Sequence, residues 1–335
     1  MKPISTAAIL GAGSLGTAIA KLLAPKLDAI TLVSIEDDVV EGINRDHTNP
    51  KYLTDIALAP HIRATGDHRE AIDQPLVIFA VPTVGVRPEA AKLAALGLPT
   101  STPVLTCAKG IERKTANRMS EVLRQELPDN PIGVLTGPNH AEEIARDLAT
   151  CAVVASEQAE LALALQELFT RPHFRVYTSE DVAGLELGGA IKNVYALAAG
   201  MSHGLGLGDN AGAALVTRAL AEMIRLGTAL GGKPETFTGL SGVGDLIVTC
   251  FSEHSRNHRV GLAIGQGKTL DEILNKLGMV AEGVPNTLSI HEAARKVGAR
   301  TPILDAVYAI LYQDKPAAEA LSELLTRDPR PETGD

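Results

Sequence analysis

The sequence predicts an α/β fold in which a doubly wound parallel sheet is followed by an all-helical domain. Short apolar runs, which are typical of buried strands, alternate with helical patterns through the first half of the chain. Beyond about residue 179 the strand pattern fades and helical patterns dominate. A glycine-rich turn separates the first predicted strand from the first predicted helix. We therefore predict one domain over residues 1–180, a helical domain over 181–327 and a loose tail over 328–335.

The strands of the first domain are predicted from short apolar runs that Gly, Pro or polar residues close. These runs are Thr6–Leu10, Ala29–Ser34, Leu76–Val81, Val104–Cys107 and Ile132–Thr136, with Ala152–Ala155 and Phe174–Tyr177 as further candidates. Helical patterns fall between them at Leu15–Ala24, Arg87–Leu96 and Thr115–Leu127. Because strands that alternate with helices pair in parallel, we expect helices on both faces of a parallel sheet.

The second domain is predicted from helical patterns alone. They cover Asp181–Met201, Asn210–Leu230, Leu270–Leu277, Thr287–Val297 and Pro302–Tyr312. Two of these helices carry start signals. We expect Asp209 to cap one helix, and Thr301, directly before Pro302, to cap another.

The composition argues against several classes of protein. The 335 residues are 45% apolar and 21% charged, as in ordinary globular chains. A net charge of −9 and an aromatic content of 3% without Trp disfavour nucleic-acid binding. No apolar run reaches the roughly 18 residues that span a bilayer, so no stable membrane insertion is expected. Three widely spaced cysteines without a C-x-x-C pair favour reduced thiols and a cytoplasmic location.

The glycine-rich turn is Gly11-x-Gly13-x-x-Gly16, and it lies between a predicted strand and a predicted helix. In this context the spacing is typical of Rossmann dinucleotide-binding domains, where phosphates meet the helix N-terminus. The alternative is a signal peptide, since Ala18-Ile-Ala20 resembles a cleavage site. Three glycines within the apolar segment, and the first strand that cleavage would remove, argue against that alternative.

An acidic residue follows the second predicted strand. Glu36 lies 20 residues after Gly16, where such a residue usually bonds the ribose hydroxyls of NAD. A solvated acid at a helix start, beside Asp37 and Asp38, is the alternative.

Two lysines occupy unusual positions. Lys109 directly follows a predicted buried strand, at the sheet edge where open α/β sheets bind ligands. Lys192 falls inside an apolar helix, one turn after Gly188 and Gly189, which suggests close approach by another group. Burial or a nearby cation would lower its pKa and make it a candidate catalytic acid. The alternatives are a surface loop lysine for the first and a snorkelling lysine for the second.

A third polar segment follows in the helical half. Asp245 stands at the start of an apolar turn, where it could also be a simple helix cap. Arg256 and Asn257 offer a guanidinium fork and an amide, which suit a phosphate group. His254 and His258 are four residues apart but have no third ligand near in sequence, so no metal site is expected.

These segments together resemble the bacterial NAD(P)-dependent glycerol-3-phosphate dehydrogenase family from Ile9 to about Arg327. The matching stretches are GAGSLGTAIA, NPKYL, AKGIE, GPNHAEEIA, GLELGGAIKNVYALAAG, GLGLGDNA, TRALAEMIRLG, GDLIVTC, SRNHRVG and EGVPNT. The resemblance implies a Rossmann domain and a helical substrate domain with the site between them. It implies reversible reduction of dihydroxyacetone phosphate to sn-glycerol 3-phosphate with NAD(P)H, for glycerophospholipid synthesis, by a homodimer acting on a small phosphorylated substrate.

The resemblance also assigns site residues. The catalytic residues it implies are Lys192, Lys109 and Asp245. Substrate contacts are implied at Lys109, Gly137, Asn139, Lys192, Asn193, Asp245, Ser255, Arg256 and Asn257. Cofactor contacts, with the glycine motif and Glu36 included, are Gly11, Gly13, Ser14, Leu15, Gly16, Glu36, Lys109, Ala141, Arg256, Val280 and Glu282.

The sequence departs from the family pattern at several positions. Val33-Ser34-Ile35-Glu36 replaces a segment in which many members carry a cation, so we favour NAD over NADP, with Arg45 as a substitute partner for a 2′-phosphate. Asn139-His140 stands where Ser or Thr and then Phe are usual, and His203 where Asp is common. Another two-domain β-hydroxyacid dehydrogenase and a non-catalytic dinucleotide sensor remain as alternative functions.

Overall fold

The computed structural model describes residues 3–277, 281–328, 331 and 332. Eight strands form one sheet in the order β3-β2-β1-β4-β5-β6-β7-β8, and the predicted α/β fold class is confirmed. The strands are β1 Thr6–Leu10, β2 Ala29–Val33, β3 Ile62–Thr65, β4 Val77–Phe79, β5 Val104–Thr106, β6 Ile132–Thr136, β7 Thr150–Ser156 and β8 Phe174–Ser179. The chain order reverses beside β1, which opens a crevice at the carboxyl ends of β1 and β4.

The helices of this half cover both faces of the sheet. They are α1 Ser14–Leu23, α2 Asp37–Asp46, α3 Arg69–Ile72, α4 Thr83–Ala95, α5 Met119–Glu126, α6 Ala141–Ala145 and α7 Ala159–Phe169. Helix α5 begins four residues later than predicted. Lys114 and Ala116 have positive φ angles of 72° and 63°, which a helix does not admit.

The prediction of an entirely parallel sheet was wrong at one pairing, because β7 runs antiparallel to β6. The connection between them carries α6, which has five residues and a length of about 7.5 Å. So short a helix does not return the chain to the start of β6, and β7 therefore begins near the end of β6. Strand β3 was not predicted, because its side chains include the exposed Arg63 and form no apolar run.

The second half is helical around one central helix, α8 Val182–Gly204, which is buried along most of its length. The others are α9 Gly208–Ala229, α10 Pro234–Phe237, α11 Asp245–Phe251, α12 Arg256–Gly265, α13 Leu270–Leu277, α14 Gly283–Lys296, α15 Pro302–Tyr312 and α16 Ala317–Leu325. A π-helical turn, Leu240–Gly244, leads directly into α11.

Helix α12 packs on α8 through glycines. A Cβ atom at Gly200 would come within 2.1 Å of the His258 carbonyl oxygen, and one at Gly261 within 2.0 Å of the Leu197 oxygen. Only residues without a side chain permit this approach. The close packing fixes the start of α12 beside the middle of α8.

Two predicted caps do not form. Helix α9 begins at Gly208, so Asp209 lies in its first turn instead of capping it. Thr301 precedes α15, but the buried Glu222 carboxylate accepts the Ile303 and Leu304 amides at 3.0 and 2.9 Å. A carboxylate from a neighbouring helix thus replaces the predicted hydroxyl cap.

Separate apolar clusters fill the two halves. Two lie on opposite faces of the sheet, and another surrounds α8. No helix in the described part of the chain is long and apolar enough to cross a membrane. The predicted loose tail 328–335 lies largely outside the described residues.

Candidate active site

A cleft of about 760 Å³ separates the carboxyl edge of the sheet from the helical half. Its sheet side is formed by the segments that follow β1, β4, β5 and β6. Its helical side is formed by α8, α11, α12 and the start of α14. This is the position at which open α/β sheets bind their ligands.

A buried ion pair lies on the helical side of the cleft. Lys192 Nζ donates to Asp245 Oδ1 at 2.9 Å and to Thr249 Oγ1 at 2.6 Å. The Thr249 hydroxyl in turn lies 2.6 Å from the Asp245 carbonyl oxygen, one helical turn before it, and donates to it. That donation leaves a lone pair of the hydroxyl for the lysine, so the lysine is held by two acceptors.

The second lysine binds the other oxygen of the same carboxylate. Lys109 Nζ donates to Asp245 Oδ2 at 2.6 Å and to the Gly137 carbonyl oxygen at 2.7 Å. Lys109 comes from the segment after β5, while Asp245 starts α11, so this contact joins the two halves. The cluster of Lys109, Lys192 and Asp245 is called the Lys–Asp–Lys cluster below.

The paired glycines of α8 make room for this cluster. A Cβ atom at Gly188 would lie 2.6 Å from the Ser241 carbonyl oxygen. One at Gly189 would lie 3.0 Å from Thr136 Oγ1 and 3.4 Å from Lys109 Cγ. The glycines therefore let α8 approach both the π-helical turn before Asp245 and the sheet edge that carries Lys109.

The cluster shifts the pKa values of its members. Burial lowers the pKa of Lys192, the Asp245 carboxylate opposes this change and the charge of Lys109 adds to it, so that the net pKa is about 8. Burial alone would raise the pKa of Asp245, but the two ammonium groups outweigh it, and the net shift is downward. The carboxylate is therefore ionised, and Lys192 can lose or gain a proton near neutral pH.

A chain of amides crosses from the sheet to α14. Asn193 Nδ2 donates to the Lys109 carbonyl oxygen at 3.3 Å, and Asn257 Nδ2 donates to Asn193 Oδ1 at 2.9 Å. The Gly283 amide donates to Asn257 Oδ1 at 2.8 Å, and Asn286 Nδ2 bonds the Lys109 oxygen at 3.1 Å. Of the three predicted substrate asparagines, Asn193 thus holds the Lys109 backbone directly and Asn257 supports Asn193, whereas Asn139 lies elsewhere in the cleft.

The start of α12 faces the same cleft. Ser255 caps it, its hydroxyl accepting from the His258 amide at 3.2 Å. Arg256 is exposed, lines the cleft, and forms no hydrogen bond or ion pair with the described residues. The Arg256 guanidinium, whose hydrogen-bond donors have no partner among the described residues, and the positive end of the helix together suit an anion such as a phosphate.

The loop after β6 brings a polar pair to the opposite wall. Asn139 Nδ2 donates to the Cys151 carbonyl oxygen at 3.2 Å, while its buried Oδ1 has no partner among the described residues. His140 follows, and burial, then the charges of Lys192 and Lys109, lower its pKa. Asn139 and His140 therefore bring to the cleft wall an amide oxygen without a described partner and an imidazole that favours its neutral form.

The glycine-rich turn fits a dinucleotide. Gly11 has a φ angle of +99°, and a Cβ atom there would lie 2.9 Å from the Ala80 oxygen, while one at Gly16 would lie 1.9 Å from the Gly11 oxygen. At Gly13 no described atom comes within 4 Å of that position, so a phosphate group has room to approach the backbone. Helix α1 starts at Ser14 and Leu15 without a side-chain cap, which leaves its first amides to such a ligand.

Two other predicted cofactor contacts, Ala141 and Glu282, line the same cleft. Ala141 starts α6 in the cleft wall, and the Glu282 carboxylate accepts the Thr83 amide at 3.0 Å across the two halves. Burial raises the pKa of Glu282. Val280 lies outside the described residues.

Glu36 lies at the start of α2, and its carboxylate accepts hydrogen bonds from neighbouring side chains. Its Oε1 atom receives a hydrogen bond from Lys51 Nζ at 2.5 Å and from the Tyr52 hydroxyl at 3.5 Å. Arg45, the predicted substitute partner for a 2′-phosphate, lies on the exposed face of α2. There it forms ion pairs with Glu41 and Asp46.

Comparison with known proteins now decides the family. Residues 6–162 match the N-terminal part, and residues 181–322 the C-terminal part, of the family described as NAD-dependent glycerol-3-phosphate dehydrogenase. A relative from Desulfitobacterium hafniense, named glycerol-3-phosphate dehydrogenase (NAD(P)+), is 45% identical over 96% of this chain and 91% of its own length.

The chain belongs to the NAD-dependent glycerol-3-phosphate dehydrogenase family.

Further likenesses agree with that membership. A glycerol-3-phosphate dehydrogenase (NAD(P)+) from Clostridium perfringens is 43% identical over 98% of this chain and 99% of its own length. The crystal structure of glycerol-3-phosphate dehydrogenase from Coxiella burnetii superimposes with a TM-score of 0.93 at 37% identity, and covers 96% of this chain and 99% of that one. The predicted resemblance is confirmed along nearly the whole chain.

Three residues of this dehydrogenase family site, Thr249, Asn286 and Thr83, were not predicted from the sequence. Thr249 lies in the GDLIVTC stretch, and its spacing of four from Asp245 was the signal for a shared helix face. Asn286 and Thr83 gave no comparable signal, because their contacts to residues 109 and 282 form between remote parts of the chain. Among the described residues, no group of His, Cys, Asp or Glu is arranged to hold a metal ion.

Proposed function

We propose that this protein reversibly reduces dihydroxyacetone phosphate to sn-glycerol 3-phosphate with a nicotinamide cofactor. The observation that carries the proposal is the Lys–Asp–Lys cluster, which lies in one cleft between the glycine-rich turn and the cationic start of α12. An acid with a pKa near 8 suits proton transfer to a carbonyl oxygen at neutral pH. The two ends of the cleft suit a dinucleotide phosphate and a substrate phosphate.

The residues of the chain divide the chemistry between them. When bound, the reduced cofactor supplies the hydride that reaches the substrate carbonyl carbon. Lys192 Nζ donates its proton to the carbonyl oxygen, and the Lys109 ammonium stabilises negative charge that develops there. Asp245 holds both amines in place and keeps their separation fixed. In the reverse direction the neutral Lys192 amine accepts the hydroxyl proton.

Substrate orientation comes from the other wall and from α12. Arg256 and the first amides of α12 bind the phosphate, while Asn139 Oδ1 accepts a hydrogen bond from a substrate hydroxyl. Binding energy from the phosphate then aligns the carbonyl with Lys192. The Lys109 ammonium stays fixed during the reaction. The side-chain amides that hold the Lys109 backbone come from α8, α12 and α14, which pack together there.

The acidic start of α2 favours NAD over NADP. Glu36, Asp37 and Asp38 place carboxylates where the adenosine ribose of a Rossmann-bound cofactor lies. We also propose that the protein works in the cytoplasm as a homodimer and supplies glycerophospholipid synthesis. The family resemblance supports these points, and sedimentation of the purified chain tests the dimer.

The test measures initial rates with NADH for dihydroxyacetone phosphate and for dihydroxyacetone, which lacks the phosphate. Wild-type protein should turn over the phosphorylated substrate far faster. Arg256→Met should lower kcat/KM for the phosphorylated substrate about 100-fold, as expected for the loss of a charge-assisted phosphate contact, and leave dihydroxyacetone reduction unchanged. No turnover by folded protein that binds NADH, or faster turnover of a β-hydroxyacid, would contradict the proposal.

A further inference from the structure

The NPKYL stretch, residues 49–53, has a defined place in the fold. Asn49 is fully buried, and its amide nitrogen donates to the Ala12 oxygen of the glycine-rich turn at 2.8 Å and to Thr17 Oγ1 at 2.9 Å. Its Oδ1 atom accepts from the backbone amides of Lys51 and Tyr52 at 3.1 and 3.0 Å. One asparagine therefore ties residues 51 and 52 to the turn that meets the cofactor phosphates.

This anchoring places Lys51 against Glu36, the acid directly before α2. Lys51 Nζ lies 2.5 Å from Glu36 Oε1 and 3.7 Å from Asp38 Oδ2. Tyr52 packs beside the same carboxylate and lines the cleft. The carboxylate that would accept a ribose hydroxyl is therefore already in contact with a cation.

The charges at this edge oppose a phosphorylated ribose. Glu36, Asp37 and Asp38 are consecutive carboxylates, and a phosphate monoester adds roughly −1.5 to −2 charge at neutral pH. Lys51 is the counter-charge in direct contact with this acidic group. Its ammonium can leave Glu36 and bond a phosphate oxygen instead, because a carboxylate and a phosphate are both strong hydrogen-bond acceptors.

Among the described residues, the lysines and arginines that line the cleft form no ion pair with Glu36. Lys109 and Lys192 are held by Asp245, and Arg256 and Arg259 lie on α12 on the helical side. Arg45 is paired with Glu41 and Asp46 on the exposed face of α2. Within the described part of the chain, Lys51 is thus the cation that contacts Glu36, the acid expected to bind the ribose.

We propose that Lys51 is the specificity-determining residue that lets this site accept a 2′-phosphorylated dinucleotide beside an unphosphorylated one. The proposal rests on the proposed function, because it takes the cleft to bind a nicotinamide dinucleotide. With the unphosphorylated cofactor, Glu36 accepts the ribose hydroxyls and Lys51 stays paired to it. With the phosphorylated cofactor, the phosphate takes the place of Glu36 on the Lys51 ammonium.

The experiment measures binding without turnover. The fluorescence of NADH and NADPH is titrated with wild-type protein, and 2′,5′-ADP and AMP are then used to displace them. Wild-type protein should bind both cofactors, NADH more tightly. Lys51→Met should weaken NADPH and 2′,5′-ADP about 10-fold, the effect of losing one partly screened charge-assisted hydrogen bond, and change NADH and AMP less than about 2-fold.

Two further variants sharpen the result. Arg45→Met removes a nearby cation that is engaged elsewhere, and it should change neither affinity. Glu36→Gln should weaken the binding of NADH and strengthen the binding of NADPH, because it removes the carboxylate that competes for the Lys51 ammonium. It also serves as the test variant if Lys51→Met proves unstable, because we expect it to keep the fold.

The results distinguish a failure of the role of Lys51 from a failure of the proposed function. If both cofactors bind but Lys51→Met leaves their affinity ratio unchanged, or if Arg45→Met shifts that ratio equally, the role of Lys51 is wrong and the dehydrogenase proposal stands. The same holds if wild-type protein fails to bind NADPH while binding NADH. Failure to bind either cofactor would contradict the proposed function itself.

Discussion

Two lysine–carboxylate pairs in this protein have the same chemistry and opposite surroundings. In the Lys192–Asp245 pair the side chains are 7% and 2% exposed, whereas in the Lys51–Glu36 pair they are 48% and 28% exposed. The N–O distances, 2.9 and 2.5 Å, would not distinguish them. Burial, not contact geometry, therefore decides what each pair can do.

The buried pair has a perturbed proton affinity, and the exposed pair has an exchangeable partner. Desolvation brings the pKa of Lys192 down to about 8, which makes its proton available. The hydrogen bond to Glu36 raises the pKa of Lys51, so that lysine stays charged and acts by attraction alone. Water and salt screen the second pair but hardly reach the first.

The largest expected effect comes from removing the buried amine. Lys192→Met should lower kcat for dihydroxyacetone phosphate reduction about 1,000-fold, in the range for loss of a positioned general acid. NADH affinity, measured by fluorescence titration, should stay within about 2-fold, because the dinucleotide turn lies on the other wall. A variant that retains a tenth of wild-type turnover would mean that another group supplies the proton.

Removing the shared carboxylate should damage both activity and stability. Asp245→Asn leaves two lysines near one another without a counter-charge, so we expect a loss of about 3 kcal/mol in the free energy of unfolding. Turnover should fall at least about 100-fold, since neither amine is held in place. Urea denaturation and initial rates measure the two effects. Unchanged stability would show that the cluster is solvated and that its charges are not coupled.

A smaller effect should follow from the hydroxyl that orients Lys192. Thr249→Val keeps the shape but removes one acceptor of the ammonium, and kcat/KM should fall about 10-fold, as for loss of one hydrogen bond to a charged group. The lysine pKa should fall too, since an acceptor that favours the charged form is gone.

Thr217 provides a matched control, because its hydroxyl also bonds the carbonyl four residues earlier, on exposed α9. Thr217→Val should change neither rate nor pH profile. If Thr249→Val behaves like this control, the hydroxyl has no part in orienting the amine.

The smallest expected effect lies at the exposed pair. Lys51→Met should leave the urea midpoint unchanged, because solvent-exposed ion pairs contribute little to folding. A marked drop in the urea midpoint would show that Lys51 stabilises the fold. The effect on cofactor preference would then be measured with Glu36→Gln instead.

Local patterns in the sequence predict much of the sheet half and less of the site. Strands β1, β2, β4, β5 and β6 follow from short apolar runs, and the glycine spacing predicts the turn after β1. Edge strand β3 does not, because an edge strand needs no apolar run. The candidate strand Ala152–Ala155 lies within β7, but its antiparallel direction was not predicted, because strand direction depends on the length of the returning segment. The Lys–Asp–Lys cluster came from resemblance, since Lys109 and Asp245 are 136 positions apart.

The contacts of Lys51 show why the rest of the site could not be predicted from the sequence. The NPKYL stretch was visible as a match, but its role depends on the buried Asn49 amide reaching a turn 37 residues earlier. Such a contact follows from tertiary packing and leaves no periodicity to detect. The pairing of Arg45 with Glu41 and Asp46, two acids on its own helix, was likewise not foreseen when Arg45 was considered as a partner for a 2′-phosphate.

Lys192 is proposed as the proton donor, with a pKa set by the buried cluster, and the decisive measurement is the pH dependence of kcat/KM in both directions. A donor must be protonated, so dihydroxyacetone phosphate reduction should fall as pH rises through about 8, while glycerol 3-phosphate oxidation should rise over the same interval. Lys192→Arg, which keeps the charge but cannot titrate there, should lose both inflections along with most activity. A wild-type reduction profile that is flat between about pH 7 and 9.5 would contradict the claim.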